Sequence, residues 1–199
     1  MKKTIFFVIS IYLISQISLF SYSSKPKDFI NEIVSDAIVQ LGNKNLNQEQ
    51  KKKFVEKLAT ENVDINALGL YTLGELRKSA KKKDIENFQK SFNKYFLKSL
   101  TSRLSDYTTS AFKILSEDKK SENYTIVSSK VIPADGRPEI MIDWRVYTKN
   151  PNKPLIRDLI VEGLSLARTQ KEEFSSILSS NNNDINALIS KLDEFVDNK

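Results

Sequence analysis

The spacing of apolar residues along this chain changes twice. Between residues 26 and 107 they recur every three or four positions, which predicts amphipathic helices. Between residues 111 and 166 they alternate with polar residues, which predicts strands. From residue 167 the helical spacing returns. We therefore expect a group of helices, then four strands, then two closing helices.

Three helices are predicted before the longest one. Pro26 suits the first turn of a helix that ends near Gly42. Asn47 and Gln50 have the spacing of a capping box, so a second helix should begin there. A third is expected over residues 64–79, and the two glycines inside it indicate a break or a close approach between backbones.

The fourth helix is the longest and should run from a cap at Asp84 to about residue 107. At roughly 1.5 Å per residue it would be about 35 Å long. One side of it is apolar and should be buried against the rest of the fold. This stripe consists of Ile85, Phe88, Phe92, Tyr95, Phe96, Leu100, Leu104 and Tyr107.

The four strands are predicted at residues 111–117, 124–132, 140–147 and 155–166. Alternation is clearest in the third, and it is typical of an antiparallel sheet with one buried face. In the fourth strand, Gly163 should introduce a bend that shifts the residues after it onto the inner face. The residues expected on inner faces are Ile140, Ile142, Trp144 and Val146 in the third strand and Leu159, Val161, Leu164 and Leu166 in the fourth.

These elements predict the α+β class. A curved four-stranded antiparallel sheet would be covered on one face by helices, NTF2-like in general shape. Large rings on the long helix and on the Trp144 strand fill a narrow gap between helix and sheet poorly. We therefore expect an internal apolar cavity, which is the usual form of a small-molecule site. The alternative is that the same side chains form an ordinary filled core.

The chain contains no cysteine and no histidine. Disulfides, a thiolate nucleophile, an imidazole base and the usual zinc ligands are therefore excluded. Paired carboxylates or a Ser–Lys dyad, such as Ser165 with Lys171, could still catalyse hydrolysis. These two residues have no reason to meet across a strand–helix junction, and Ser165 is better interpreted as a helix cap. We expect a protein that holds a ligand without transforming it, with no cofactor and no metal.

The N-terminus has the pattern of a secretory signal peptide. Two lysines precede an apolar run over residues 5–20, and small residues stand at Ser21 and Ser23. These are the basic, apolar and cleavage regions of such a peptide, so we predict a signal over residues 1–23. The alternative is an uncleaved anchor helix, which needs about 20 apolar residues, whereas this run is shorter and contains Gln16.

Removal of that peptide would leave residues 24–199, a suitable length for a single soluble domain with its own core. Nucleic acid, NAD and ATP are not expected as partners outside the cytoplasm. The full chain carries a net charge of +6, and removal of Lys2 and Lys3 would leave about +4 (6 − 2). This charge could favour anionic head groups or an acidic partner, or it could belong to an ordinary soluble surface with lysine in excess. Three consecutive lysines at residues 81–83 could touch lipid phosphates, or they could form a solvated loop.

A set of short motifs spans nearly the whole predicted mature chain. The most specific is the D-x-x-x-x-G-x-S pattern that includes Asp158, Gly163 and Ser165 and is followed by an aliphatic residue. The others occur at residues 63–66, 73–77, 88–96, 174–178 and 184–192, and at Tyr107. In this order they resemble the toluene-tolerance family, that is, the MlaC family of periplasmic phospholipid carriers.

The chain departs from the family pattern at two points. Leu76 stands where family members usually have an aromatic residue, often tryptophan. Leu155 and Ile156 stand where a tryptophan is common, shortly before the aspartate of the fourth strand. The second departure concerns the detailed shape of the inner wall of the cavity.

The resemblance implies a carrier and not an enzyme. Such proteins enclose the acyl tails of a glycerophospholipid and carry it across the periplasm between the outer and inner membranes, which maintains outer-membrane lipid asymmetry. The implied partners are an inner-membrane ABC transporter with an MCE-domain protein, an outer-membrane lipoprotein–porin complex and, transiently, a membrane surface. The carrier would be a monomer. Its tail pocket would be lined by Tyr71, Phe88, Phe92, Tyr95, Phe96, Leu100, Ile126, Ile140, Ile142, Trp144, Val146, Leu159, Val161, Leu164 and Leu166.

An alternative from another functional class fits the same patterns. An exported interaction module, NTF2-like or cystatin-like in shape, would have a filled core and no lipid ligand. The space between the sheet and the helices distinguishes these two hypotheses.

Overall fold

The computed structural model describes residues 22–104, 109–134 and 136–198. The predicted signal peptide, apart from its last two residues, lies outside these ranges, and so does Tyr107. Within them the chain forms an α+β fold with seven helices and one five-stranded antiparallel sheet. Helices come first, then strands, then two more helices, as the change of spacing predicts.

Five of the described helices precede the sheet and two follow it. None of these helices has the length and apolar character needed to cross a membrane. Their bounds are α1 Pro26–Gly42, α2 Gln48–Asn62, α3 Ile65–Thr72, α4 Leu76–Ser79, α5 Lys82–Leu104, α6 Leu166–Ser180 and α7 Ile185–Asp197.

Local sequence signals set the helix ends, with one difference from prediction. Asn47 and Gln50 form the predicted capping box, and both of its hydrogen bonds are 2.9 Å long. Helix α5 starts at Lys82 and not at the predicted Asp84 cap. The carbonyl of Lys81 already accepts from the N–H of Asp84 at 3.0 Å, so the helical bonds begin before the aspartate.

The predicted helix over residues 64–79 is divided into α3 and α4. Gly74 ends the first part because its φ of 57° is in the left-handed region that favours glycine. Gly69 stays inside α3, where a Cβ would lie 2.8 Å from Cδ1 of Phe92. Gly74 is therefore the predicted break between helices. Gly69 permits a close approach, but the group that approaches it is the ring of Phe92 and not a backbone.

The sheet is a meander in which each strand pairs with the next one along the chain. The prediction of four strands is wrong, because Glu162 and Gly163 adopt φ values of 49° and 81° and turn the chain back after β4. A short fifth strand then pairs with β4. The strands are β1 Thr109–Ser121, β2 Tyr124–Pro133, β3 Ile140–Tyr147, β4 Leu155–Val161 and β5 Leu164–Ser165.

The register of the central strands defines the two faces of the sheet. Trp144 lies opposite Val127 on one side and Leu159 on the other, and Ile142 lies opposite Val161. Because directly paired residues share a face, the predicted inner face of β3 continues onto β4. The alternation predicted for these two strands is therefore confirmed.

The buried apolar residues form two clusters. The sheet cluster consists of Phe29, Ile30, Ile33, Val127, Val146 and Ile156, so α1 covers the sheet face that carries Trp144. Helix α5 packs mainly on α7, α3 and α2. The expectation that the long aromatic helix faces the sheet is therefore wrong, because other helices supply its apolar partners. The helical cluster consists of Ile65, Leu73, Phe88, Phe92, Phe174, Leu178, Ile185, Leu188 and Leu192.

Candidate functional site

The aromatic residues predicted to line a tail pocket pack against one another in the helical cluster. Phe88 and Phe92 are buried, and their ring centroids are 5.7 Å apart. Phe174 of α6 lies edge-on to both rings, with centroids 6.2 Å from each. Tyr95 contacts the ring of Phe195 of α7 at 5.0 Å. In this conformation these rings therefore form part of a helical core.

The sheet residues of the predicted lining lie in or beside the other cluster. Val146 is buried, and Trp144 and Leu159 pack against the sheet cluster. The indole N–H of Trp144 donates to Ser129 Oγ at 2.8 Å, and that hydroxyl donates to the carbonyl of Ile142 at 3.0 Å. The polar end of the indole is thus satisfied, so the rest of the ring can lie among apolar groups.

The two clusters meet at a contact that we call the seam. Val63 packs against both clusters, and an isolated parallel bridge joins it to Ile156 of β4. In this bridge the N–H of Asp64 donates to the carbonyl of Ile156 at 2.9 Å. Several apolar side chains beside the two clusters are only half-buried, so both clusters keep incompletely covered apolar surface. These are Leu58, Leu68, Phe96, Leu97, Trp144 and Leu159. The predicted lining residues Leu100, Ile140, Ile142 and Val161 are half-buried as well.

Two predicted lining residues follow the unexpected turn after β4. Leu164 is 68% exposed and Leu166 is 43% exposed, so neither side chain is buried in a pocket, although the pairing of Leu164 with Val161 places it on the same face as that residue. Leu164 pairs with Val161 at the open edge of the sheet, where no further strand of the described residues follows. Leu166 begins α6 instead of continuing a strand.

Two further predicted residues lie away from both clusters. Ile126 is opposite Arg145 in the register, which places it on the sheet face that does not carry Trp144. Tyr71 is exposed, and its ring centroid lies 5.5 Å from Lys171 Nζ. Neither residue is brought together with the apolar side chains of the predicted pocket.

The D-x-x-x-x-G-x-S pattern builds the junction between β4 and α6. Asp158 is buried and accepts hydrogen bonds from the Ser165 hydroxyl at 2.6 Å and from the N–H of Ala167 at 3.0 Å. Ser165 Oγ accepts from the N–H of Arg168 at 3.1 Å, which confirms its predicted role as a helix cap. The motif therefore holds a strand and a helix in place, and Ser165 serves as a cap.

Sequence reasoning missed a polar cluster beside the seam. Arg157 donates to Asp64 Oδ2 from Nε at 2.9 Å and from Nη2 at 2.7 Å, and to the Tyr124 hydroxyl at 3.1 Å. Its guanidinium also lies 3.3 Å from the ring centroid of Tyr147. We call these four residues the clasp. Burial disfavours the charged guanidinium, but the hydrogen bonds to Tyr124 and Asp64 outweigh it and raise the pKa of Arg157.

A groove of about 360 Å³ lies next to the clasp. We call it the arginine groove, because residues from α4, β3 and β4 contribute a guanidinium each. Its lining is Ala67, Leu68, Leu70, Tyr71, Arg77, Tyr124, Arg145, Arg157, Asp158 and Ala167. A neighbouring cleft of about 550 Å³ shares Tyr71 and is lined by Arg168, Lys171, Glu172 and Ser175 as well. The described residues contain no cluster of three or more acidic side chains that could hold a metal ion.

Comparison with known proteins identifies the family. The sequence matches the MlaC protein family over residues 30–194, whereas no curated protein matches it. Among solved structures, it is similar to a phospholipid-binding protein from Ralstonia solanacearum in complex with a phospholipid, with a TM-score of 0.69 and 20% identity. That similarity covers 84% of this chain and 94% of the other, and at this identity it shows a shared fold. Since the family match extends over most of its length, this chain belongs to the MlaC family.

Proposed function

We propose that this protein is a phospholipid carrier that binds the acyl tails of a glycerophospholipid between the sheet cluster and the helical cluster. The family match over residues 30–194 is the observation that carries this proposal. The fold shared with a protein solved in complex with a phospholipid supports it. The half-buried apolar side chains beside both clusters supply the surface that tails require.

The energetics of lipid transfer explain why such a carrier is needed. Each buried CH₂ contributes about 0.8 kcal/mol, so a molecule with two long tails leaves a membrane very slowly without an apolar host. Since the rings of the helical cluster already contact one another, room for a tail requires that the two clusters separate. Separation at the seam would uncover Val63, which packs against both clusters.

The clasp is suited to control this separation. Asp64 belongs to the loop before α3 and Arg157 to β4, so their ion pair joins the helical part of the molecule to the sheet. A partner that favours the open conformation would release the lipid, because a binding partner shifts the equilibrium towards the state that it binds better. We propose that the partners are an inner-membrane ABC transporter with an MCE-domain protein and an outer-membrane lipoprotein–porin complex.

The setting proposed for this transport is the periplasm. Residues 1–23 would direct export, and residues 24–199 would form a single lipid-binding domain that contacts membranes transiently as a monomer. Cleavage after Ser23 would remove Tyr22, whose hydroxyl donates to Asp36 at 2.8 Å. The N-terminal mass of the exported protein therefore tests both the export and the position of the cut.

Transport also accounts better than catalysis for the composition of the chain. With no histidine or cysteine available, and with Ser165 bonded as a cap, the proposed role is binding and release of intact lipid. The tight contacts among Phe88, Phe92 and Phe174 favour a second candidate, an exported interaction module with a filled core and no lipid.

Native mass spectrometry separates the two candidates. The protein, purified from the periplasm of the cells that express it, should carry glycerophospholipid, and the delipidated protein should extract it again from vesicles. The spectrum would also report the number of tails and the head groups that are held. Protein that is always free of lipid and extracts none from vesicles would contradict the carrier proposal and favour the interaction module.

A further inference from the structure

The lining of the arginine groove carries more positive charges than negative ones. With the adjoining cleft, its lining includes five basic side chains and two acidic ones. Asp64 adds one carboxylate from the clasp, but that group is already paired with Arg157. The remaining guanidinium groups therefore decide what the groove can bind.

Arg145 keeps hydrogen-bond donors for a ligand. In its ion pair with Asp158, Nη1 lies 3.8 Å from Oδ2, which is too long for a hydrogen bond. That oxygen already accepts from Ser165, and the other oxygen of Asp158 accepts from the N–H of Ala167. The side chain of Arg145 is 45% exposed, so a ligand in the groove can reach its guanidinium N–H groups.

Arg77 and Tyr124 add further donors. Arg77 is exposed and makes one long contact, from Nη1 to the carbonyl of Leu70 at 3.5 Å. Tyr124 accepts from Arg157 at 3.1 Å, so its own O–H remains able to donate. Because the clasp fixes Arg157, and Arg157 in turn fixes this hydroxyl, the donor is held in place before any ligand arrives.

We propose that the arginine groove binds a phosphate group, with Arg77, Arg145 and Tyr124 as the donors. Guanidinium groups match phosphate oxygens in both geometry and charge, whereas an uncharged ligand would leave this excess charge unpaired. The phosphate could belong to a lipid head group or to a small phosphate ester. Leu68 favours the lipid, since it lines the groove and also packs against the helical cluster. That choice of source rests on the carrier function proposed above, but the phosphate site does not.

The test compares the double variant Arg77→Gln/Arg145→Gln with Arg103→Gln, which removes an exposed arginine at the end of α5. Inorganic phosphate and glycerol 3-phosphate are titrated while the arginine Nε–H signals are followed by NMR, with sodium chloride at equal ionic strength as the reference. Vesicles of phosphatidylglycerol then measure lipid uptake by the same proteins. The single variant Arg77→Gln keeps the test valid if the loss of Arg145 unfolds the chain.

We expect saturable shifts at Arg77 and Arg145 with phosphate but not with chloride. We also expect binding to be weakened at least about tenfold in the double variant and unchanged in Arg103→Gln, since two charge-assisted contacts are lost. A parallel fall in lipid uptake would assign the phosphate to the head group, and normal uptake would assign it to a small ester. If the wild-type protein takes up no lipid, the carrier proposal fails, but the phosphate titration still shows whether the arginine groove binds phosphate. Shifts equal to those with chloride, or no shifts, would overturn the proposal, even if lipid uptake fell.

Discussion

The two apolar clusters of this protein differ in how completely they are closed. In the helical cluster, aromatic rings from α5 and α6 contact one another, and α7 is held at its end by Lys98, which donates to the carbonyl of Val196 at 2.7 Å. The sheet cluster is aliphatic apart from Phe29, and Trp144 at its border keeps a polar contact to Ser129.

The two clusters therefore differ in role: one mainly stabilises the fold, and the other has apolar surface that a ligand can reach. A closed aromatic cluster stabilises the fold but has no room for a ligand unless it is repacked. A sheet face that one helix covers incompletely can accept apolar groups with less rearrangement. We therefore expect substitutions in the helical cluster to lower stability, and substitutions on the exposed part of the sheet face to lower lipid binding.

The largest effect is expected from Phe88→Ala in the helical cluster. Phe88 is fully buried, so the substitution should lower the free energy of unfolding by about 3–5 kcal/mol, as measured by urea denaturation. Phe195→Ala, at a more exposed ring of the same region, should cost about 1 kcal/mol. The lipid content of the molecules that stay folded should not change, because Phe88 lies in the interior of the helical cluster; a loss of lipid would show that the tails enter this interior.

The second effect concerns the sheet face. Ile142→Gln places an amide on the face of Trp144, and desolvation of that amide by a tail should reduce lipid occupancy about tenfold. Met141→Gln, the neighbouring position on the opposite face, is the matched control and should bind normally. Native mass spectrometry measures both. Equal occupancy in the two variants would mean that the tails do not touch this face.

A smaller effect is expected at the clasp. Asp64→Asn keeps an acceptor for the N–H of Ala67 but removes the charge that faces Arg157. Stability should fall by about 1–2 kcal/mol, and lipid transfer between vesicles should become several-fold faster because the seam opens more often. Glu75→Gln, which removes an exposed ion pair with Lys78, should alter neither quantity. Unchanged transfer in Asp64→Asn would contradict a gating role for the clasp.

The smallest effect is a pH dependence that originates in the helical part of the molecule. Burial raises the pKa of the Tyr95 hydroxyl, and the charge of Glu173 adds to this. The folded state therefore favours the neutral phenol, so this contribution to stability is complete below about pH 10 and is lost as the pH rises further. Tyr95→Phe should make the alkaline decline in unfolding free energy shallower between pH 9 and pH 11. The same slope in both proteins would argue against this contribution.

Features with local causes could be predicted from the sequence. The capping box at Asn47 and the alternation around Trp144 depend on residues a few positions apart, and both agree with the structure. The break at Gly74 and the cap at Ser165 are of the same kind. Each rests on the backbone preferences and hydrogen bonds of a short segment, which a single sequence records directly.

The features that could not be predicted depend on which helices and strands pack against one another in the folded chain. Helical spacing showed that one side of α5 is buried, but it did not distinguish a sheet from other helices as the covering surface. Arg157 and Asp64 are 93 residues apart, so no local pattern joins them. Gly163 predicted a bend in the fourth strand. In the structure Glu162 also has a positive φ, so the chain reverses direction at this point and Leu164 is exposed. The predicted pocket was therefore divided between two clusters.

The strand order leaves a long edge of the sheet without a neighbouring strand among the described residues. Strand β1 is one of the two outermost strands of the described sheet and is long, over Thr109–Ser121, so its outer edge could pair with another molecule. Lysines at positions 113, 119 and 120 and acidic residues at 117 and 118 are frequent along it. Charges on a free edge oppose intermolecular strand pairing. The charges of the outer strand therefore disfavour the joining of two molecules through this edge.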